Sequence, residues 1–132
     1  TKIKADLAII DKRRPEPGKS QVMNIIGEVK GKNCIIVDDI IDSGGTIVNA
    51  VEALKKAGAS DVYVFITHAV LSGEAATKIQ KSKIKKLIIT DTIDNSLKVK
   101  NNSKIEVISI APLMAEAMHR ISNSTSVSDL FN

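Results

Sequence analysis

The sequence predicts an α/β fold in which a mostly parallel sheet is flanked by helices. Two observations lead to this prediction. Apolar runs of strand length alternate along the chain with amphipathic helix patterns, which is typical of parallel sheets with crossover helices. The core must also be aliphatic, because aromatic residues make up only 2% of the 132 residues and tryptophan is absent. Such a core suits strands buried on both faces.

The strands are predicted from short runs rich in Ile, Val and Leu that end at turn residues. The clearest is Cys-Ile-Ile-Val-Asp at 34–38, which reads as a buried strand that gives way to a loop after Val37. A parallel sheet needs several such runs, and the chain supplies six. The predicted strands cover residues 5–10, 22–26, 34–38, 62–67, 86–90 and 105–110.

Three helices are predicted between and after these strands. Residues 46–57 place Ile47, Val51 and Leu54 on one helical face, and Gly58 follows as a C′ residue. The other two helices cover residues 72–81 and 112–121, the last with Pro112 in its first turn.

The segments that are neither strand nor helix are a basic loop and a polar tail. Residues 11–21 contain two prolines, one glycine and four basic side chains, and they predict a flexible loop. A solvated basic turn is the alternative interpretation of that loop. The tail, residues 122–132, is serine-rich and is predicted as a loop or a short strand. The whole chain is interpreted as a single domain.

Composition narrows the possible functions. The formal net charge is +4, and only one cysteine, Cys34, is present. The scarcity of aromatic side chains disfavours binding of single-stranded nucleic acid, which needs stacking platforms. No apolar run approaches the 18 or so residues that span a bilayer. We therefore expect no nucleic acid partner, no membrane partner and a cytoplasmic location.

Residues 37–46, V-D-D-I-I-D-S-G-G-T, join the strand at 34–38 to the following helix. Ligands of parallel α/β sheets bind at the carboxyl ends of strands, where this loop falls. Gly44 and Gly45 let backbone N–H groups converge, Ser43 and Thr46 add hydroxyl donors, and the helix start adds about half a positive charge. The loop is predicted to bind one phosphate group.

The aspartates in this run need a different partner. Carboxylates repel phosphate but accept hydrogen bonds from vicinal hydroxyls. A ligand with a phosphate at one end and a diol at the other, such as ribose 5-phosphate, satisfies both halves of the run. The alternative interpretation is a polar turn in which Asp and Ser side chains only cap the helix.

Several stretches resemble one enzyme family. The run at 37–46 resembles the phosphoribosyl-diphosphate-binding motif of type I phosphoribosyltransferases and of ribose-phosphate diphosphokinases. The surrounding sequence is similar to the diphosphokinases over essentially the whole chain, most clearly in L-A-I-I-D-K-R-R-P at 7–15, V-M-N-I-I-G at 22–27 and S-V-S-D-L-F at 126–131. The resemblance implies a type I phosphoribosyltransferase-like domain from the C-terminal half of such an enzyme, without its first strand and helix.

The resemblance implies a reaction and its residues. The diphosphoryl group of ATP passes to the 1-hydroxyl of ribose 5-phosphate with Mg²⁺, giving phosphoribosyl diphosphate and AMP for nucleotide biosynthesis. The catalytic residues carried over are Lys12 and Arg14, whose charge suits the neutralisation of phosphoryl oxygens. The Mg²⁺ ligands are expected mainly in the upstream half and not in this chain. The residues expected to bind ribose 5-phosphate are Asp38, Asp39, Asp42, Ser43, Gly44, Gly45 and Thr46.

The tail carries a further expectation. Ser126, Ser128 and Phe131 match a segment that the family uses to bind regulatory phosphate or ADP between subunits. Asp129 departs from the aromatic residue often found there, and a disordered polar terminus is the alternative interpretation. The resemblance also implies a homo-oligomer, from dimer to hexamer.

Two other functions remain open from the sequence. One is a non-catalytic fragment or regulatory homologue that binds ribose phosphates. The other is a type I phosphoribosyltransferase, which would need a base-binding segment and a pyrophosphate loop that we do not find. Because the resemblance covers only one of two similar domains, catalysis by this chain alone is not expected.

Overall fold

The structure, a computed structural model, describes residues 4–13 and 22–131. Three strands come first, helices and strands then alternate along this described part of the chain, and a short 3-10 turn, Ser128–Phe131, forms in the tail. The strands are β1 (Ile9–Arg13), β2 (Val22–Ile26), β3 (Cys34–Ile41), β4 (Val62–Ala69), β5 (Lys86–Thr90) and β6 (Ile105–Ile108). The helices are α1 (Gly45–Lys56), α2 (Ala75–Lys81), α3 (Ser96–Val99) and α4 (Ala111–Ser122).

The main sheet is parallel and has the strand order β3-β4-β5-β6. Its register places Ile36 opposite Val64, Val64 opposite Leu87, and Leu87 opposite Ile105. These side chains continue one aliphatic row across the sheet. The predicted α/β fold with a mostly parallel sheet is confirmed.

The core lies between this sheet and the helices α1 and α2. Val51 of α1 and Ile79 of α2 are fully buried against Val64, Leu87 and other aliphatic strand residues. Each such side chain stabilises the fold by about 1.5–3 kcal/mol relative to an exposed one. The predicted C′ glycine of α1 is also present, since Gly58 follows the C-cap Ala57 with φ of +93°.

The opposite face of the sheet is not covered by a helix within the described residues. Ile35 is 53% exposed and Val37 is 76% exposed, and Phe65 and Ile108 are also open to solvent. The prediction that Val37 ends a buried strand is therefore wrong, because Val37 is exposed and the strand continues beyond it. β3 is an edge strand, and its pairing with β4 continues it to Ile41.

The predicted strand 5–10 and loop 11–21 are also corrected. β1 begins at Ile9 and extends to Arg13, because it pairs antiparallel with all five residues of β2. This pairing places Lys12 opposite Met23, in a strand and not in a loop. Residues 14–21, which include Arg14, lie outside the described residues.

The remaining predictions differ from the structure mainly at element ends. β2 and β5 have the predicted bounds, whereas the helix predicted from residue 72 begins at Ala75 and the strand predicted to residue 110 ends at Ile108. The short helix α3 was not predicted. None of the helices among the described residues has the length and apolar character needed to cross a membrane.

Candidate phosphate and sugar site

The loop between β3 and α1 turns on two adjacent glycines. Gly44 is the N-cap of α1 with φ of +76°, a left-handed conformation that side chains other than glycine rarely adopt. Gly45 opens the helix, and a Cβ atom there would meet no other atom within 4 Å. Gly44 therefore makes the turn, and Gly45 leaves open space beside it.

No acidic side chain within the described residues lies in the first turn of α1. At Gly44 no side-chain hydrogen bond caps the helix among the described residues. The alternative interpretation, in which Asp42 or Ser43 caps the helix, is wrong for this reason. The positive end of α1 therefore lies at the loop, where it favours an anion.

The loop is anchored through its carbonyl groups. The Ile41 carbonyl accepts hydrogen bonds from the N–H groups of Val70 (2.9 Å) and Leu71 (3.3 Å), and the Asp42 carbonyl accepts one from the Ser72 N–H (3.2 Å). In a trans peptide the C=O and the following N–H point in opposite directions. The N–H groups of Asp42 and Ser43 therefore point away from residues 70–72. One side of the loop is held by the chain after β4, and the other presents backbone donors.

The predicted carboxylates lie next to these donors in the chain. Asp38 and Asp39 belong to the exposed carboxyl-terminal half of β3, and Asp42 follows in the loop, also exposed. The Asp39 N–H donates to Asp38 Oδ1 at 2.9 Å, which fixes the Asp38 side chain close to the main chain. Three carboxylates thus lie along β3 and its loop, beside the donors that suit an anion.

A groove lies between the first described residues and the edge strand of the main sheet. Ile10, two residues before Lys12, and Val37, one residue before Asp38, both line a cavity of about 990 Å³. Residues 4–8 and Ile10 line one side, residues 33–37 at the edge of the main sheet line the other, and Glu28, Val29, Lys32 and Leu54 complete the lining. The chain that leads into the basic motif and the strand that leads into the aspartates therefore share one groove.

No group of three His, Cys, Asp or Glu side chains within residues 4–13 and 22–131 is arranged to hold a metal ion. The aspartates of β3 and the loop accordingly do not form a protein-only metal centre in that part of the chain. Mg²⁺ usually binds proteins through one or two carboxylates plus substrate phosphates. Asp38 and Asp39 have the chemistry and the exposure for that limited role.

The tail is held against α4. Arg120 Nη1 donates to the Ser126 carbonyl at 3.0 Å, and the Ser126 hydroxyl donates to Asp129 Oδ1 at 3.2 Å. Ser128 and Phe131 belong to the 3-10 turn, and the Phe131 ring is largely exposed. Asp129, which departs from the family pattern, is therefore the residue that binds Ser126. The regulatory role of Ser126, Ser128 and Phe131 stays a prediction.

Two contacts near the loop were not anticipated from the sequence. The buried Asn95 donates through Nδ2 to the Ala69 carbonyl at 2.6 Å, at the end of β4 and directly before the residues that hold the loop. Lys78 of α2 donates to the Ser43 carbonyl at 3.4 Å. Both residues come from helix-bearing segments distant in the sequence, and no local pattern marks them.

Comparisons with known proteins give consistent findings. Residues 7–132 match the family described as the phosphoribosyl synthetase-associated domain. The chain is 56% identical over 128 residues to the ribose-phosphate pyrophosphokinase of Hyphomonas neptunium, which covers 97% of this chain and 41% of that protein. It is 55% identical over 131 residues to the ribose-phosphate pyrophosphokinase of Clostridium tetani, covering 99% of this chain and 41% of that protein.

A solved structure is also similar. The crystal structure of phosphoribosylpyrophosphate synthetase from Mycobacterium smegmatis matches with a TM-score of 0.76 and 38% identity, over 89% of this chain and 37% of that one. The expected relation to ribose-phosphate diphosphokinases is confirmed. The chain spans 41% of the length of both relatives above. Its expected position in the C-terminal half is not confirmed by these matches.

Proposed function

The chain belongs to the phosphoribosyl synthetase family, and we propose that it carries the ribose 5-phosphate site and the catalytic lysine of a ribose-phosphate diphosphokinase. The observation that carries this proposal is the anchored loop after β3. Its carbonyl groups are held by residues 70–72, its N–H groups face outward, and the helix behind it has no capping side chain. That arrangement suits a phosphomonoester dianion.

The proposed reaction is a diphosphoryl transfer. The 1-hydroxyl oxygen of ribose 5-phosphate forms a bond to the β-phosphorus of ATP, and the bond from that phosphorus to the oxygen shared with the α-phosphorus breaks. AMP leaves with that oxygen, and the hydroxyl proton is released. Catalysis of such transfers depends mainly on positioning and on neutralising charge at the phosphoryl oxygens.

Different parts of the site are proposed to bind different parts of ribose 5-phosphate. Asp42, Ser43, Gly44, Gly45 and Thr46 bind the 5-phosphate through backbone and hydroxyl donors. Asp38 and Asp39 accept hydrogen bonds from the ribose hydroxyls, which lie at the opposite end of the sugar from the phosphate. The orientation of the sugar is thereby fixed by two chemically different contacts.

Lys12 and Arg14 are proposed to neutralise the transferred diphosphoryl group. This assignment rests on the resemblance of L-A-I-I-D-K-R-R-P at 7–15 to the diphosphokinases. Mg²⁺ would supply further positive charge on the nucleotide phosphates, with Asp38 and Asp39 as the described carboxylates suited to contact it. We also propose that the working enzyme is a cytoplasmic homo-oligomer.

The test is a phosphorus NMR time course of this chain with ATP, ribose 5-phosphate and Mg²⁺. We expect a shifted or broadened 5-phosphate resonance and no phosphoribosyl diphosphate, since the chain spans less than half of its relatives. An unchanged 5-phosphate resonance at millimolar ligand would contradict the proposed site. New phosphoribosyl diphosphate would show instead that the chain catalyses the transfer alone.

Two variants separate the proposed roles. Asp38→Ala should weaken ribose 5-phosphate binding, because a sugar hydroxyl loses its acceptor. Lys12→Ala should leave that binding within about twofold of the wild-type value, because Lys12 serves the diphosphoryl group and not the sugar phosphate. Loss of sugar-phosphate binding in Lys12→Ala would show that this division of roles is wrong.

A further inference from the structure

The loop after β3 has a third carbonyl, that of Ser43, and its partner is a charged side chain. Lys78 Nζ lies 3.4 Å from the Ser43 oxygen. The two preceding carbonyls, of Ile41 and Asp42, are held by backbone N–H groups of residues 70–72. Three successive peptide groups therefore turn their oxygens toward the chain that runs from the end of β4 into α2.

The third peptide group matters because its N–H belongs to Gly44. With the Ser43 oxygen drawn toward Lys78, the Gly44 N–H points to the opposite side of the trans peptide, away from Lys78, although Gly44 itself is buried. No hydrogen bond among the described residues occupies that N–H. The ammonium of Lys78 thus bears on the orientation of a backbone donor of the loop, through the carbonyl at the other end of the same peptide group.

The position of Lys78 is set by the packing of α2. Ala75, three residues earlier on the same helix, is fully buried and lies against Gly44. Residues three apart on a helix are neighbours, so Lys78 extends from the turn that follows this contact. Ile79 is fully buried on the core side, while Lys78 itself is exposed. The buried side chains of α2 hold the helix against the loop, while the Lys78 side chain extends from its exposed face.

Lys78 also changes the charge around the loop. Asp42 is within one residue of Ser43, and its carboxylate opposes the approach of a dianion. The Lys78 ammonium lies 3.4 Å from the Ser43 carbonyl oxygen, well within the Debye length of about 8 Å at physiological ionic strength, so it offsets part of this repulsion. The same contact therefore orients a donor and raises the local positive potential.

We infer that Lys78 is a positioning residue of the phosphate loop, which orients the Gly44 N–H through the Ser43 carbonyl and so increases affinity for a sugar phosphate. This inference rests on the proposed function, because it assigns Lys78 to the same ribose 5-phosphate site. It assigns Lys78 no contact with the substrate and no part in the transfer of the diphosphoryl group.

The test compares Lys78→Met, Lys78→Arg and the matched control Lys81→Met, which removes the same charge from the same helix. Ribose 5-phosphate affinity is measured by phosphorus NMR titration, and the Gly44 amide is followed in proton–nitrogen spectra. We expect Lys78→Met to raise Kd about fivefold, in the range of an exposed charge contact, and to shift the Gly44 amide resonance. Lys78→Arg should restore affinity to within about twofold.

Two further readouts exclude a purely structural effect. The melting temperature of Lys78→Met should match that of Lys81→Met, and the difference in Kd should narrow as salt rises toward 1 M, where the Debye length is about 3 Å. Equal Kd values for Lys78→Met and Lys81→Met would overturn the inference and leave the proposed site intact. A loss of affinity that Lys78→Arg does not restore would also overturn it. Failure of the wild-type chain to bind ribose 5-phosphate would overturn the proposed function and this inference with it.

Discussion

Gly44 packs against Ala75: a Cβ atom on Gly44 would lie 3.8 Å from the Ala75 Cβ, at ordinary contact distance. The loop after β3 therefore rests on the first turn of α2. Its neighbour Gly45 faces open space instead. The two adjacent glycines thus differ: Gly44 needs its positive φ for the turn, whereas Gly45 leaves open space in which we propose that the phosphate binds.

This difference predicts opposite effects of alanine at the two positions. Gly44→Ala should lower the free energy of unfolding by about 1 kcal/mol, because alanine is strained at φ of +76°. Gly45→Ala should leave stability unchanged or raise it by about 0.5 kcal/mol, because alanine favours the helix. It should nevertheless weaken ribose 5-phosphate binding about tenfold, because its methyl group occupies the phosphate side of the loop. Urea unfolding and phosphorus NMR titration measure the two effects.

The Gly45 result is the decisive one of the pair. If Gly45→Ala bound ribose 5-phosphate as tightly as the wild-type chain, the phosphate would not lie against the first turn of α1. Asp61→Ala is a suitable control, since Asp61 lies at the amino end of β4, away from the loop, and pairs with the exposed Lys85.

The sequence predicted the elements whose signals are local. β5 has the predicted bounds because its apolar residues are flanked by Lys86 and Thr90, and α1 was found from the helical spacing of Ile47, Val51 and Leu54. β1 was misplaced because its polar half, Asp11–Arg13, is extended by pairing with β2 and not by its own composition.

The site, like the fold, was predictable where its signals are local in the sequence. Its motif is contiguous, so residues 38–46 could be assigned from the sequence. Lys78 and Asn95 could not, because their contacts with Ser43 and Ala69 exist only once the chain after β4 has folded back against the loop. The exposed face of β3 was also missed, because an apolar run does not reveal whether a helix covers it.

Asn95→Asp should destabilise the protein strongly. Asn95 is 4% exposed and donates through Nδ2 to the carbonyls of Ala69 and Ile93. Aspartate would place an acceptor against two carbonyl oxygens in a buried position, at a cost of about 3 kcal/mol near pH 7. Burial should raise the pKa of the new carboxyl above its unfolded value of about 3.9. The loss in free energy of unfolding relative to the wild-type chain should therefore shrink as the pH falls toward 4.

The measurement is urea unfolding of both proteins from pH 4 to pH 7. Asn101→Asp is the matched control, because Asn101 is exposed and should tolerate the same change within about 0.5 kcal/mol. A deficit for Asn95→Asp no larger than that of Asn101→Asp would contradict the buried hydrogen bonds assigned to Asn95.

Ser109→Ala should destabilise the protein in a pH-dependent way. Asp91, after β5, accepts hydrogen bonds from the Ser109 hydroxyl at 2.5 Å and the Ile110 N–H at 2.8 Å, at the start of α4. These hydrogen bonds, first that of Ser109, hold the pKa of Asp91 below its ordinary value. A lowered pKa contributes stability that is complete above the unfolded pKa of about 3.9 and is lost as the pH falls through the folded value.

The melting temperature of Ser109→Ala should therefore lie below that of the wild-type chain from pH 5 to pH 8, and the gap should narrow below about pH 4. Differential scanning calorimetry across this range provides the measurement. A gap that stays constant down to pH 2.5 would show that Ser109 stabilises the start of α4 independently of the Asp91 charge.

Ile35→Lys should reduce self-association of the chain. Ile35, Val37, Phe65 and Ile108 leave an apolar surface on the helix-free face of the main sheet, and apolar patches of this kind favour association in water. A lysine at position 35 places a charge within that surface, so we expect the association constant to fall at least about tenfold. Sedimentation velocity over a range of protein concentrations measures the association constant.

Leu97→Lys is the matched control, because Leu97 is 90% exposed but lies on α3, outside that surface, and its substitution should leave association unchanged. A wild-type chain that remains monomeric throughout the concentration range would contradict the role given to this face.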